Sequence, residues 1–326
     1  MKTLAFFNNK GGVGKTALVY HVAWMLAERG VPVLAIDLDP QSNLSSMFLT
    51  EQRLAELWNE RKTVMAAVQP LVARSGDIAP AHTETMSEKL HLVTGDLGLS
   101  RFEDLLSENW GKCLNGEEGA FRVISSFHRI MREAAARTGA QLVLIDQGPN
   151  LGALNRAALL AAQHLVLPLA PDLFSIQGME NLGPTLREWR AGWRKRIEEI
   201  KGSDLDLPGG EMRPAGYVVM SFGVRDKRPV QAYDDWLNRI PSTYRRAVLD
   251  EDPANSPDVD HDPYRLAALK HYRSLMPMAM AAHKPMFSLK SADGARGAHL
   301  EAVRACYDDF LSLARRIADV IGFAVP

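Results

Sequence analysis

Residues 8–16 read Asn8-Asn9-Lys10-Gly11-Gly12-Val13-Gly14-Lys15-Thr16. Before them runs Thr3-Leu4-Ala5-Phe6-Phe7, apolar and of strand length. After them comes Ala17-Leu18-Val19-Tyr20-His21-Val22-Ala23-Trp24-Met25-Leu26-Ala27, with apolar residues at helical spacing. Strand, glycine loop and helix in that order are the setting of a phosphate-binding loop. Three glycines let the backbone turn tightly and present its N–H groups to an anion. The helix N-terminus adds its positive dipole end. Lys15 stands where a lysine reaches the terminal phosphates, and Thr16 where a hydroxyl holds Mg²⁺. A strict G-x-x-x-x-G-K-[ST] loop would begin with glycine at position 9. Asn9 stands there instead, followed by a second lysine, Lys10.

That run, KGGVGKT, resembles the deviant Walker A motif of the ParA/MinD family of P-loop ATPases. The resemblance implies a nucleotide cradle of Gly11, Gly12, Val13, Gly14, Lys15, Thr16 and Ala17. It implies too that Lys10 crosses into the site of a partner subunit, so that a homodimer sandwiches two ATP molecules. Lys10 would then act like an arginine finger in trans. The plain alternative for Lys10 is a solvated surface lysine.

Val33-Leu34-Ala35-Ile36-Asp37 reads as a second strand, set off from the first helix by Gly30 as a C-cap. Strand, helix, strand over this length is a right-handed βαβ unit of a parallel sheet. Asp37 and Asp39, two residues apart at a strand end, point the same way. The stretch Asp37-Leu38-Asp39-Pro40-Gln41-Ser42-Asn43 matches the family's switch I pattern D-x-D-P-Q-[GS]-N. By that match Asp37 holds waters on Mg²⁺ and Asp39 positions the attacking water. Gln141-Leu142-Val143-Leu144-Ile145-Asp146 is a buried central strand ending in an acid. By resemblance it is the Walker B strand, so the metal set is Thr16, Asp37 and Asp146, and the catalytic set Lys10, Lys15 and Asp39. Where the family continues D-x-P-P, this chain has Gly148 before Pro149, a looser switch II turn. Residues 167–178 resemble the family's sixth-strand loop, which would place Pro168, Pro171 and Asp172 near the adenine.

Further strands are expected at 90–94, 164–169 and 217–221. Helices are expected at 121–137, 153–162, 175–200 and 298–321. Residues 51–89 read as mostly helical with breaks at Pro70, Gly76 and Pro80, and residues 250–263 as an acidic, proline-rich surface insertion. The expected fold is a doubly wound, mostly parallel α/β sheet flanked by helices. The 326-residue chain is read as a single domain over 1–326, expanded at about 51–90 and 222–270 relative to small family members.

Formal net charge is −1, so no global basic field points to nucleic acid. Cys113 and Cys306 fit no metal spacing and no disulfide framework. Two cysteines so placed also exclude an iron–sulfur reductase of related fold. The N-terminus does not read as a signal peptide, and no apolar run approaches membrane-span length, so a cytoplasmic protein is expected. The 298–321 helix bears acids among its arginines, which argues against a MinD-like membrane helix. Residues 272–287 resemble the ParA segment that contacts DNA, with Arg273, Lys284, Lys290 and Arg296 as candidate phosphate contacts. The seven residues before the loop leave no room for a helix-turn-helix, so any DNA binding is expected to be nonspecific and nucleoid-associated. The basic run Arg187, Arg190, Arg194, Lys195, Arg196 reads as a solvated helix face, and Asp258, Asp260, His261, Asp262 as a flexible acidic loop.

The expected function is a slow, Mg-ATP-driven dimerisation switch that binds DNA, stimulated by a ParB-like partner. The alternatives are a regulatory or scaffolding switch that binds a protein, a MinD-like membrane-associated ATPase, and a metabolic phosphotransferase.

Overall fold

The computed structural model describes residues 1–221, 230–272 and 274–325. Its strands are β1 (Lys2–Phe6), β2 (Val33–Asp37), β3 (Glu84–Ser87), β4 (Leu90–Val93), β5 (Leu142–Asp146), β6 (His164–Leu169), β7 (Arg213–Ser221) and β8 (Arg265–Lys270). Its helices are α1 (Lys15–Glu28), α2 (Asn43–Phe48), α3 (Glu51–Asn59), α4 (Val64–Val72), α5 (Phe102–Lys112), α6 (Glu118–Ile124), α7 (Ser126–Thr138), α8 (Ala153–Leu160), α9 (Leu173–Glu199), α10 (Val230–Thr243), α11 (Leu275–Ala282) and α12 (Ala298–Ile321).

The strands form one eight-stranded sheet in the order β3-β4-β2-β5-β1-β6-β7-β8. Every pairing is parallel except β3 with β4. β5 is buried at all five positions, because helices cover both faces of a parallel sheet. Leu142 and Leu144 face the layer of α1, α11 and α12, while Val143 and Ile145 face α4 to α9. α1 leaves β1 on one face, and α8 leaves the adjacent β5 on the other. Ligand crevices of open α/β sheets form where neighbouring connections part in this way.

Five sequence expectations change. Residues 121–137 are two helices, not one. Ser125 interrupts them, its hydroxyl donating back to Phe121 O at 2.7 Å, a bond that bends helices. α4 runs through Pro70 and ends two residues later. β8 and the β3 edge strand were not anticipated. The 258–262 segment is not simply a mobile acidic loop, since Asp262 is buried. It accepts from Tyr217 Oη at 2.6 Å and Arg245 Nη2 at 2.8 Å. Likewise Arg196, expected on a solvated face, is buried and donates to Trp110 O. The C-terminal helix α12 does pack on the sheet, burying Val303, Cys306, Phe310, Leu313, Ile317 and Ile321.

α9 crosses a π-helical turn at Tyr244–Leu249, and the two approach closest at Gly183. A Cβ at Gly183 would lie 1.7 Å from Ala247 O. Gly183→Ala is therefore expected to destabilise the fold by about 1–3 kcal/mol. Gly111→Ala, on an exposed face of α5 where a Cβ would meet no described atom outside its own helix turn within 4 Å, is expected to stabilise it by up to about 1 kcal/mol. Urea denaturation of the two variants reads the contrast.

Candidate nucleotide site

The loop between β1 and α1 is held at its start by Asn8. Its Nδ2 donates to Pro168 O at 2.7 Å, and its Oδ1 accepts from Lys10 N at 2.9 Å. This fastens the loop to the end of β6. Gly178 of α9 packs against the same point, since a Cβ there would meet Asn9 Oδ1 at 2.5 Å. Gly12 and Gly14 both take left-handed backbone, φ 71° and 88°, which a residue with a Cβ rarely adopts. Gly14 caps α1 without a side-chain hydrogen bond, whereas Thr50 and Asp172 cap α3 and α9 through their side chains. The first N–H groups of α1 are thus left for an anion.

The two lysines separate. Lys15 is buried behind the loop, its Nζ 3.5 Å from Lys10 O. Burial lowers its pKa, and the carboxylates of Asp146 and Asp39 oppose that shift. Lys10 lies at the rim, ion-paired with Asp172 of its own chain and 5.7 Å from the ring of the exposed Phe174. Asp172 also accepts from Ser175 N at 2.9 Å.

The acids gather at the ends of β2 and β5. Asp37 and Asp146 are register partners and fully buried. Asp37 Oδ2 accepts from Ser45 N at 2.8 Å and Ser45 Oγ at 2.7 Å, and Oδ1 accepts from Asp39 N at 3.2 Å. Burial pushes its pKa up to about 7, with Ser45 acting against the rise and Asp39 adding to it. Burial, and then Asp37, hold the Asp146 carboxyl well above its ordinary range. Neither Asp146 oxygen has a hydrogen-bond partner among the described residues. The Thr16 hydroxyl lies near enough to oppose the shift without reaching hydrogen-bond geometry. A buried carboxylate is normally paired or ligates a metal. Two of them beside a threonine hydroxyl suit Mg²⁺ with its shell of waters. Asp39 sits at the mouth of this group, accepting from Gln41 N at 3.0 Å.

Loop residues, the first turn of α1, Asp39, Gln41, Asn43, Met47, Pro149 and Met280 line a cleft of 510 Å³, a size suited to a small-molecule ligand. The turn that follows β5 is fixed by Asn155, whose Nδ2 donates to Gly148 O at 2.8 Å and Asn150 O at 2.6 Å. The structure therefore brings together Lys10, Lys15, Thr16, Asp37, Asp39, Asp146, Pro168 and Asp172. Of the candidate DNA contacts, Lys284, Lys290 and Arg296 follow α11 in the chain. Lys284 is ion-paired with Asp293 at 2.7 Å, Lys290 and Arg296 are exposed, and Arg273 lies outside the described residues.

Sequence reasoning missed Ser45 and Gly95, which shape the Asp37 carboxylate. Gly95 N donates to Ser45 Oγ at 2.8 Å, and a Cβ on Gly95 would stand 2.8 Å from Asp37 Cγ. No local sequence signal marks Gly95; the strand register reveals it. β4 pairs with β2 up to Val93 opposite Ile36, so the glycine just past it abuts Asp37.

A family model described as an AAA domain matches residues 1–199. The chain is 30% identical over 197 residues to the chromosome-partitioning ATPase Soj of Thermus thermophilus, covering 60% of this chain and 66% of that protein. The first three curated relatives are matched over 82%, 47% and 55% of their own lengths. Among solved structures, protein DIP2308 from Corynebacterium diphtheriae aligns with a TM-score of 0.69 at 29% identity, covering 87% of this chain and 97% of that one. The cell division ATPase MinD of Pyrococcus furiosus shares the fold at a TM-score of 0.56 and 16% identity, with 98% of each chain covered.

Two outcomes follow from the buried acids. Both carboxyls titrate above their unfolded values, so the metal-free fold should lose stability as pH rises from about 4 through 7. Asp146→Asn is expected to raise the Tm of the nucleotide-free chain at pH 8 and to weaken the Mg²⁺ dependence of nucleotide binding. Thermal melts from pH 5 to 8 and nucleotide titrations with Mg²⁺ or EDTA check this. Gly95→Ala should displace Asp37, weakening Mg²⁺-dependent nucleotide binding by about tenfold or more while leaving Mg²⁺-free binding near the parent value.

Proposed function

Because the chain belongs to the ParA/MinD-type P-loop ATPases, we propose that it is an ATP-driven switch whose Mg-ATP state is a sandwich homodimer that binds DNA nonspecifically. Hydrolysis returns it to the monomer. On this reading residues 1–326 form one ATPase unit with a role in DNA segregation or cargo positioning.

The observation that carries the reading is the separation of the two lysines. Lys15, buried behind the loop, serves the phosphates of its own site. Lys10 stands half-exposed at the rim, its amine paired with the buried Asp172 carboxylate and beside the Phe174 ring, where a partner's phosphates could draw it away from Asp172. That exchange would tie dimer formation to ATP. The glycine loop and the first turn of α1, through Gly11 to Ala17, cradle the phosphates. The base lies along the 168–172 segment, which Asn8 fastens to the loop. Thr16, Asp37 and Asp146 would hold Mg²⁺, which would supply positive charge beside the terminal phosphates. Asp39 orients the attacking water and takes up its proton. Lys290 and Arg296 offer exposed cations for DNA phosphates. A ParB-like protein is the expected activator, and the cytoplasm and nucleoid the expected location.

A protein-binding switch is the second reading. It is favoured by the Lys284–Asp293 pair, which removes one cation from the DNA surface.

Asp39→Ala is expected to lower the ATPase rate by about 10²-fold or more and so to trap the ATP state. Sedimentation of this variant with Mg-ATP should give a dimer that binds a random-sequence duplex in low salt, while Mg-ADP should leave a monomer that does not. An ATP dimer that ignores duplex shifts the conclusion to the protein-binding switch. A parent-like ATPase rate in Asp39→Ala removes the role given to Asp39.

A further inference from the structure

His21 lies in α1, five residues past Thr16, and is wholly buried. Its Nδ1 faces Ala17 O at 2.6 Å, and its Nε2 lies 3.1 Å from Met286 N. The amide at 286 can only donate, so Nε2 accepts and Nδ1–H donates to Ala17 O. Burial lowers the imidazole pKa to about 4, with the Ala17 bond opposing it. The ring is therefore neutral at physiological pH, and its acceptor is always present. Phe310 stacks on it at 4.9 Å and Phe287 stands edge-on at 5.9 Å, leaving it little freedom to turn.

The two ends of this bridge have different positions. Ala17 lines the candidate nucleotide cleft, in the first turn of the helix whose N–H groups are free for an anion. Met286 opens the turn after α11, between Lys284 and Lys290. The same turn closes α11 through His283, at φ 47°, and Lys284 N, which donates to Ala279 O at 3.1 Å. Met280 of α11 borders the cleft from the other side. α11 and its following turn are thus held between the cleft and the imidazole.

We infer that His21 is a positioning residue that couples occupancy of the phosphate loop to the 283–290 turn. An anion that draws in the first turn of α1 moves Ala17 O. The imidazole, confined by two phenyl rings, passes that displacement to the Met286 amide and so to Lys284 and Lys290. The inference rests on the nucleotide part of the proposed function, and its test needs no DNA.

The test is amide hydrogen exchange on the full chain with and without Mg-AMPPNP, alongside the affinity for that analogue. In the parent the analogue should change exchange across 284–289 at least about threefold. In His21→Met, which has no acceptor for the amide, Met286 should exchange about tenfold faster without nucleotide, and the analogue response should vanish. Analogue affinity should stay within about twofold of the parent. His21→Asn, which keeps a polar group but is too short to reach Met286, should behave alike and serves if His21→Met fails to fold. His21→Gln, long enough to accept from Met286 N, should restore the response. A parent-like response in His21→Met or His21→Asn overturns the inference, as does a parent that binds the analogue with no change at 284–289. A parent that binds no analogue overturns both this inference and the proposed function. Loss of DNA retention with the exchange response intact removes only the DNA reading.

Discussion

Two carboxylates, Asp37 and Asp146, lie side by side at the ends of adjacent parallel strands, both removed from solvent. Left ionised and unpaired, such a pair would be among the costliest arrangements a protein interior can hold. Much of the surrounding structure answers that constraint. Ser45 turns its N–H and hydroxyl onto Asp37. Lys15 is drawn into the interior on the side of Asp146 and Asp39. Gly95 keeps the neighbouring strand end free of a side chain. What remains unanswered are the two oxygens of Asp146. A divalent cation would satisfy both acids at once, so the metal-free state stores an electrostatic cost that ligand binding relieves.

The sheet order makes this cluster possible. β5 is inserted between β1 and β2, which are consecutive in sequence, and this brings the Walker B acid beside both the glycine loop and switch I. The faces then divide the labour. The α1 face carries the loop, α2, α11 and α12. The opposite face carries α8 and α9; Pro168 at the end of β6, the α9 cap Asp172 and Gly178 in α9 meet the rim of the loop at Asn8, Lys10 and Asn9. Phosphate contact and rim contact are thereby assigned to different layers of one core.

Much of the site was legible in the sequence because it is built from local segments. Lys10 to Thr16, Asp37 to Asn43 and Asp146 each belong to a strand end followed by a turn, and period and composition mark such ends. The elements that escaped have weak local signatures. Arg265-Leu266-Ala267-Ala268-Leu269-Lys270 reads as helix by propensity, yet it is β8, because the exposed edge of β7 offers a ladder of partners. Ser125 breaks one expected helix through a bond to its own backbone. Asp262 reads as part of an acidic loop, but Tyr217 and Arg245 reach it from distant parts of the chain.

By itself the sequence determined the glycine loop, the central parallel strands with the helices between them, and the identity of the acids, since each depends on residues within one turn or one strand. Only the tertiary structure decided which partners those groups meet: Lys10 with Asp172, Gly95 against Asp37, and His21 between Ala17 and Met286. Apart from the His21–Ala17 bond within one helical turn, these contacts join residues from about 60 to more than 260 positions apart in sequence. Side-chain hydrogen bonding and close packing are fixed by where the sheet register and the layers bring the backbone. No local pattern encodes that distance.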